Sequence, residues 1–563
     1  MTGSLTRSTD AESHTDGTTA GDQLRSVPPN QPPRTPEHNA FLADTSLRYW
    51  LNAFAPGAEQ AYQDVLVGFG EHAGSWRIQD AADTANRNDP KLRCFERTGI
   101  RIDEIDFDPS WHVVMESATR SGVCGLPWNA PDQGYVVRGV GADLLGRIDI
   151  GVMCPVTMTT GAIAAIRKTS TDEPWEQRLR DFEGGQLLAG MAMTEPQGGS
   201  DLADTSSVAV EQSDGTFSIS GHKWFCSYPV ADVWLLLARE SELGPGSRGL
   251  SCFIVDGWLP DGTRNGIELL RLKEKLGTQS LPSAEVMLNN AIGRRLGEPG
   301  AGVRTIIEMV VHTRMDCALG SAGVMGRAVS EAVTYAHDRR AFGETLAQQP
   351  LMRAVLADMA LEREGAVALS MEVARTFQAE DPVRRLVTAF AKYWITRRAV
   401  MVAVEAVEAL GGNGYTEEWP LARLYRDAQV NSSWEGSGNV IALDILRTLS
   451  REPELAVRWR ERIEQLLSSA PTDLAGIIGD FVTALPIPSE QHHARTFAGS
   501  IAVATQAALL AWRAGDTGSS DDALVARAFV DTRLAGHSER VFGDGPESLV
   551  AAADVLLPRY RVS

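Results

Sequence analysis

LLAGMAMTEPQGGSD, residues 187–201, is the stretch on which the reading of this chain turns. It opens as a short β-rich run. It then breaks into Pro, two glycines and Ser-Asp, the chemistry of a turn. Five comparable runs follow: FSISGHKWF (217–225), VWLLLARE (233–240), LSCFIVD (250–256), IELLRL (267–272) and AEVMLNN (284–290). Gly, Asp, Pro and Ser separate them. Six such runs within 184–295 predict a small barrel or sandwich.

Both flanks of this β region are helical in pattern. From 38 to 183, an apolar-periodic run begins at Ser46-Leu47-Arg48-Tyr49-Trp50-Leu51. Across Ile105 to Ala118, residues Trp111, Val114, Met115 and Ala118 recur at helical spacing. CPVTMTTGAIAAIRK, from Cys154, reads as a small-residue helix suited to close packing. From 296 to 450, Met325, Ala328, Val329, Ala332, Tyr335 and Ala336 form one apolar stripe. A second helix runs from about Leu351 to Gln378, and a third stops at Gly411-Gly412. Residues 451–563 are again helical, with the Ala-rich run SIAVATQAALLAW. Residues 1–37, rich in Ser, Thr, Asp, Gly and Pro, read as a disordered leader. Helices, then strands, then helices is not βαβ alternation, which argues against a Rossmann fold. The predicted class is α+β, mainly α, with domains at 38–183, 184–295, 296–450 and 451–563.

Composition narrows the function. The chain has 563 residues, 43% hydrophobic and 22% charged, which is globular. Its 53 basic and 73 acidic residues give a net charge of −20. Such a chain repels phosphate backbones unless a local basic patch intervenes. The last region carries eleven basic and fifteen acidic residues, net −4, although Arg458, Arg460 and Arg462 cluster. The six cysteines (94, 124, 154, 226, 252 and 317) form no CxxC pair and read as reduced, mostly buried thiols of a cytoplasmic protein. No run of eighteen apolar residues predicts a transmembrane helix, and the N-terminus lacks a secretory h-region. Zinc spacing, a Walker loop, GxSxG and GxGxxG are all missing, so no metal site is expected and hydrolase readings have no foothold.

Four stretches carry candidate chemistry. In Met193-Thr194-Glu195-Pro196-Gln197-Gly198-Gly199-Ser200-Asp201, hydroxyls and exposed N–H groups suit a polar ring edge or a pyrophosphate, or make an ordinary turn. In Gly221-His222-Lys223-Trp224-Phe225-Cys226-Ser227, adjacent aromatics point to opposite strand faces. One of them suits a planar cofactor with Ser227 at its edge; otherwise both simply pack. In Asn431-Ser432-Ser433-Trp434-Glu435-Gly436-Ser437-Gly438-Asn439, a carboxylate beside Trp is either a buried general base or a solvated loop residue before a helix capped by Ser437. In Asp338-Arg339-Arg340-Ala341-Phe342-Gly343, paired arginines either bind phosphate or complement a helix C-terminus.

The order MTEPQGGSD, GHKWFCS, DRRAFG, ALGGNGY, WEGSGN closely resembles the acyl-CoA dehydrogenase flavoprotein family. HTRMDCALGSAG, RGLSCFIVDGWLPDGTRNGIELLRLKEKLG and VNSSWEGSGN are similar to its AidB-like, alkylation-response branch. The resemblance spans about residues 40–450 and implies that family's fold: an N-terminal helical domain, a central β-barrel and a C-terminal four-helix bundle, here with a C-terminal helical extension. It implies FAD. Met193, Thr194, Gly199 and Ser200 are then expected at the flavin and its phosphates, and Phe225 and Ser227 along the isoalloxazine edge, with Ser227 near N5. Arg339 and Phe342 are expected at the FAD of a neighbouring subunit in a homotetramer. Ser433, Trp434, Gly436 and Asn439 complete the cradle. Glu435 falls at the family's catalytic base and Arg314 at an arginine near it, while Asp316 is an extra charge on the same helix. Glu408 stands where ordinary members have Gln. The implied reaction is α,β-dehydrogenation of an acyl-CoA or related acyl thioester, with electron-transfer flavoprotein or O2 as acceptor. The branch is also associated with duplex DNA through a basic C-terminal domain, a role that the net −4 of residues 451–563 disfavours.

Overall fold

All six expected β-runs form strands of one barrel. The computed structural model describes residues 29–169, 173–534 and 542–562. Ahead of the barrel lie helices α1 (Thr45–Phe54), α2 (Gln63–Gly74) and α3 (Trp76–Arg87), a hairpin of β1 (Lys91–Phe95) and β2 (Arg101–Asp106), then α4 (Pro109–Arg120), α5 (Gly134–Ile148), α6 (Ile150–Thr169) and α7 (Glu173–Glu183). The hairpin was not expected in this region, read as mainly helical. Ile105 belongs to β2, and the helix bearing Trp111, Val114, Met115 and Ala118 starts only at Pro109, capped by Asp108. Pro109 at the first helical position explains that boundary.

The barrel comprises β3 (Ala189–Ala192), β4 (Val208–Glu211), β5 (Phe217–Ser227), β6 (Val233–Glu240), β7 (Leu250–Asp256), β8 (Ile267–Leu272) and β9 (Ser283–Leu296). Pairings β6–β4–β5–β9–β7 close through β7–β6, with β3 on β6 and β8 on β9. β4, four residues long, was not expected from the sequence. VWLLLARE and LSCFIVD are apolar without alternation because both faces of β6 and β7 are covered. Trp234, Leu236, Phe253 and Val255 fill the barrel. Val233, Leu235, Leu237 and Ile254 instead meet Ile163 and Ile166 of α6.

Behind the barrel run the long helices α8 (Gly302–Asp338), α9 (Pro350–Gln378) and α10 (Arg384–Leu410), then α11 (Leu421–Asn431) and α12 (Gly438–Arg451). α6 is long and apolar enough to cross a membrane, with mean hydropathy 1.4, but 89% of that window is buried against its neighbours. The small residues expected to allow close packing do so. Gly161 approaches α8 until an added Cβ would stand 2.8 Å from Met309 Cγ.

The extension continues as α13 (Glu454–Leu467), α14 (Thr472–Ala484), α15 (Ala494–Thr517), α16 (Ser520–Phe529) and α17 (Glu547–Tyr560). It docks on α9 through ion pairs to buried carboxylates. Arg513 Nη1 lies 3.1 Å from Glu364, Arg533 Nη2 2.5 Å from Asp358, and Arg462 Nε 2.9 Å from Glu372. Burial alone pushes the Glu362 carboxyl up, yet Arg398 and Arg533 outweigh it and hold the group below the usual range.

The first 28 residues of the expected leader lie outside the described residues. Residues 29–37 lie against the body: the Asn30 amide donates to the Arg340 carbonyl at 2.9 Å, and Arg34 pairs with Asp80 at 2.6 Å. All six cysteines are free thiols, and only Cys94 is not buried.

Candidate active site

The turn between α11 and α12 carries Glu435. Its backbone is left-handed, with φ 57° at Glu435 and 98° at Gly436. A non-glycine residue in that region costs roughly 1–3 kcal/mol and persists only where surrounding contacts over-determine it. Those contacts are present. Lys392 of α10 donates to the carbonyls of Trp434 (2.9 Å) and Gly436 (2.6 Å). Arg314 of α8 donates from Nε to the carbonyl between them, that of Glu435, at 2.9 Å. Arg314 is itself aimed by Asp444 of α12 at 3.1 Å. The Trp434 indole donates to Asn431 Oδ1 at 3.0 Å, and Asn431 donates to Ser321 at 2.9 Å, fixing the approach to the turn.

The Glu435 carboxylate meets α8. Thr313 Oγ1 lies 2.6 Å from Glu435 Oε2 and 3.0 Å from the Val310 carbonyl. One hydroxyl rotor therefore serves both protonation states, donating to the carboxylate when it is ionised and to Val310 when Glu435 holds the proton. Burial raises the Glu435 carboxyl above its ordinary value, against the downward pull of Thr313, Arg314 and Lys392. An acid so placed is a carboxylate tuned upward toward the pH at which a general base works best.

A cavity of about 830 Å³ opens in front of this turn, between the barrel and the helices. Ten of the expected residues line it together with Glu435: Arg314, Met193, Thr194, Gly199, Ser200, Phe225, Ser227, Ser433, Trp434 and Gly436. The segment after β3 is held by buried Glu195, which takes Lys223 at 2.7 Å and the hydroxyls of Ser206 and Ser207. Burial works upward on that carboxyl, but Lys223 outweighs it and keeps the group ionised well below the usual range. A bulge between Lys223 and Cys226 presents Phe225, 57% exposed, to the cavity while Cys226 stays in the core. Trp224 turns the other way, under the Lys273 ammonium at 3.5 Å from its ring centroid.

Three expected residues stand apart from that lining. Asn439, placed by resemblance in the cradle, is exposed on α12. Helical rotation of roughly 100° per residue carries it off the face that Val440 and Asp444 present to the cavity. Arg339 and Phe342 lie on a small hairpin beyond α8, where Arg340–Ala341 pairs with Glu344–Thr345. Phe342 is 99% exposed at φ 53°. Glu408 is exposed on α10.

Thr313 and Lys392 were missed in the sequence reading, and so was the partner of Asp316. Asp316 lines the cavity and forms a buried pair with Arg138, whose Nη2 sits 2.6 Å from Oδ2, and Thr157 donates to the same oxygen at 2.7 Å. No sequence pattern joins residues 178 positions apart.

Sequence profiles agree with this architecture. The adaptive response protein AidB N-terminal domain matches residues 30–183, the acyl-CoA dehydrogenase middle domain 190–291, and the acyl-CoA dehydrogenase C-terminal domain 300–450. The putative acyl-CoA dehydrogenase AidB of Escherichia coli K12 is 40% identical over 442 residues, covering 75% of this chain and 80% of that protein. The chain belongs to the acyl-CoA dehydrogenase family, in its AidB-like branch. Acyl-CoA dehydrogenase family member 11 of Caenorhabditis elegans is 34% identical over 466 residues, 77% of this chain and 75% of that protein. The crystal structure of C. elegans ACDH-11 in complex with C11-CoA superposes with a TM-score of 0.84 at 30% identity, covering 92% of this chain and 95% of that one. Butyryl-CoA dehydrogenase of Megasphaera elsdenii gives 0.60 at 25% identity, covering 69% and 97%.

The cavity of this acyl-CoA dehydrogenase family member fits the family's flavin. Thr194, Ser200 and Ser227 supply hydroxyls, and Phe225 and Trp434 supply aromatic surface. At Gly199 an added Cβ would meet Thr194 Oγ1 at 2.5 Å, so the backbone there must stay bare for this loop to hold its shape.

Proposed function

We propose that this protein is an FAD-dependent acyl-CoA dehydrogenase-like oxidoreductase with Glu435 as the base. The observation that carries the reading is the Glu435 carboxylate, raised by burial, at the cavity wall on a turn gripped by two cations. Bound FAD supplies the hydride acceptor and thus the oxidising power of the reaction. Met193, Thr194, Gly199, Ser200, Phe225, Ser227, Ser433, Trp434 and Gly436 hold it. Glu435 takes the α-proton of the thioester, and its backbone N–H donates to the thioester carbonyl as negative charge develops there. Thr313 keeps the carboxylate aimed between turnovers. Apolar Met153, Met158, Ile306 and Val310 keep water from the site, while Arg385, Arg426 and Arg447 add positive charge to the lining for the phosphates of a CoA carrier. Exposed Phe342, beside half-buried Arg339, suits contact with a second protomer and its cofactor, as in a tetramer. An electron-transfer flavoprotein or O2 would serve as the final electron acceptor.

The DNA-associated reading is weaker because residues 451–563 are net −4 and several of their arginines are taken up by buried carboxylates. Arg462, Arg513, Arg533 and Arg559 are engaged with buried carboxylates. The test is anaerobic bleaching of the yellow holoenzyme against a panel of acyl-CoAs, repeated with duplex DNA at physiological salt. Bleaching by at least one thioester is expected. Glu435→Gln should keep its flavin and lose about 10²–10⁴-fold in turnover. Unchanged turnover removes Glu435 from the mechanism, and tight salt-sensitive DNA binding without bleaching favours the other reading.

A further inference from the structure

Among the described residues, Lys392 is a buried ammonium with no carboxylate partner. It sits in the first half of α10 at 1% exposure. A lone charge in that position costs several kcal/mol to desolvate, and a methionine would fill the same space without that penalty. What the ammonium does that a methionine cannot is grip two carbonyls, those of Trp434 and Gly436. Burial lowers it to about 8, which leaves it charged at neutral pH.

The geometry of the peptide unit gives this grip a direction. Every peptide bond among the described residues is trans, so the C=O and N–H of one unit point opposite ways. The Trp434 carbonyl belongs to the same plane as the Glu435 N–H. Lys392 does not line the cavity, whereas Trp434, Glu435 and Gly436 do. Drawing the Trp434 oxygen toward Lys392 therefore turns the Glu435 N–H toward the cavity. Among the described residues that N–H has no hydrogen-bond acceptor. The Gly436 carbonyl, held by the same ammonium, fixes the far side of the turn. Arg314 fixes the plane between them from the α8 side.

We propose that Lys392 is a positioning residue that locks the 434–435 peptide plane so that the Glu435 N–H faces the thioester carbonyl. The assignment rests on the dehydrogenase reading above and adds to it a residue that touches neither substrate nor flavin. Removing Lys392 frees the plane to rotate while the Glu435 carboxylate stays beside Thr313. The base is then retained and the carbonyl donor lost.

The test uses the flavin-loaded full chain carrying Lys392→Met, with Lys392→Gln as a second, polar replacement that is one atom shorter and reaches only one of the two carbonyls. The first readout is the crystal structure of each variant. In Lys392→Met the Trp434 oxygen is expected to leave its position and the 434–435 plane to turn. The second is kinetics per bound flavin, with the acyl-CoA that bleaches the unaltered protein. Loss of a carbonyl donor of this kind lowers kcat by about 10²–10³-fold. kcat and kcat/KM should fall together and KM hold, the pattern of an interaction made only in the transition state. Lys392→Gln should lie between. A residue that merely supports folding would instead reduce the yield of flavin-loaded protein and leave kcat per flavin alone. An unmoved peptide plane in Lys392→Met overturns the proposal, as does an unchanged kcat per flavin in that variant. If no acyl-CoA bleaches the unaltered protein, the dehydrogenase reading fails, and the plane alone still decides the role of Lys392.

Discussion

Glu435 is legible as a candidate from its neighbours in the chain, but its environment is not. Thr313, 122 positions earlier, supplies the side-chain hydrogen bond to its carboxylate. A hydrogen bond to a charged group contributes about 1.5–3 kcal/mol, and one pKa unit corresponds to about 1.4 kcal/mol. That bond lowers the Glu435 carboxyl, so Thr313→Val lets burial raise it further. The base works ionised, and its activity is lost as pH falls through its pKa. The acid limb of the kcat profile should therefore move to higher pH by about one to two units. A stopped-flow pH series of flavin reduction measures this, and an unmoved limb would show that Thr313 does not hold the working carboxylate. Phe342 makes the same point about legibility. Its place after paired arginines is visible in the sequence, while its full exposure at positive φ is visible only in the fold.

At the scale of elements, the long helix α8 brings the site together. Thr313, Arg314 and Asp316 come from adjoining turns of it, and His312 looks to the other side. The His312 ring accepts from or donates to Tyr135 Oη at 3.0 Å and lies 2.8 Å from the Glu308 carbonyl. Burial pushes it down to about 4 from 6.5, so the folded protein holds it neutral. The unfolded chain takes up that proton first as pH drops. The contribution is complete above pH 6.5 and is lost as pH falls from there to about 4. The unfolding midpoint should decline across this window, and His312→Asn should flatten that decline in a calorimetric pH series. An equally steep decline in the variant assigns the acid sensitivity to the carboxylates instead. Elements of this kind were read well where their periodicity was sustained. The helix expected to end at Gly411 does so because Gly411 takes φ 61°, open to glycine at little cost. The hairpin β1–β2 was missed because RIDEID sets its two apolar residues, Ile102 and Ile105, three apart, a helical spacing, and KLRCF alone is a short, half-exposed edge. β4 was missed because four residues are too few to set a period.

Across the whole molecule, charge binds the extension to the bundle. Arg533 reaches both Asp358 and Glu362, and all three are nearly fully buried. Arg533→Met leaves Asp358 without a guanidinium and Glu362 with Arg398 alone. Breaking a buried pair from one side costs about 3–5 kcal/mol, because the remaining charge is stranded. The variant should unfold at a clearly lower midpoint, and adding Asp358→Leu should recover part of the loss. No loss in the single variant would mean that water reaches the site. The sequence shows that residues 451–563 are helical and mildly acidic. It does not show that Arg462, Arg513, Arg533 and Arg559 reach back to the bundle, because each pairs with a carboxylate of α9, far earlier in the chain.

That distance has a consequence for biosynthesis. Glu364 is buried against Arg559, which is translated 195 residues later. At ribosomal rates of about 5–20 residues per second, the gap is roughly 10–40 s. For most of that interval, until Arg513 and then Arg533 emerge, the nascent bundle carries carboxylates whose counter-charges do not yet exist. The domain that holds the reaction therefore reaches its final packing only after the segment least related to that reaction has emerged, and a holding chaperone has its longest opportunity on this half-made chain.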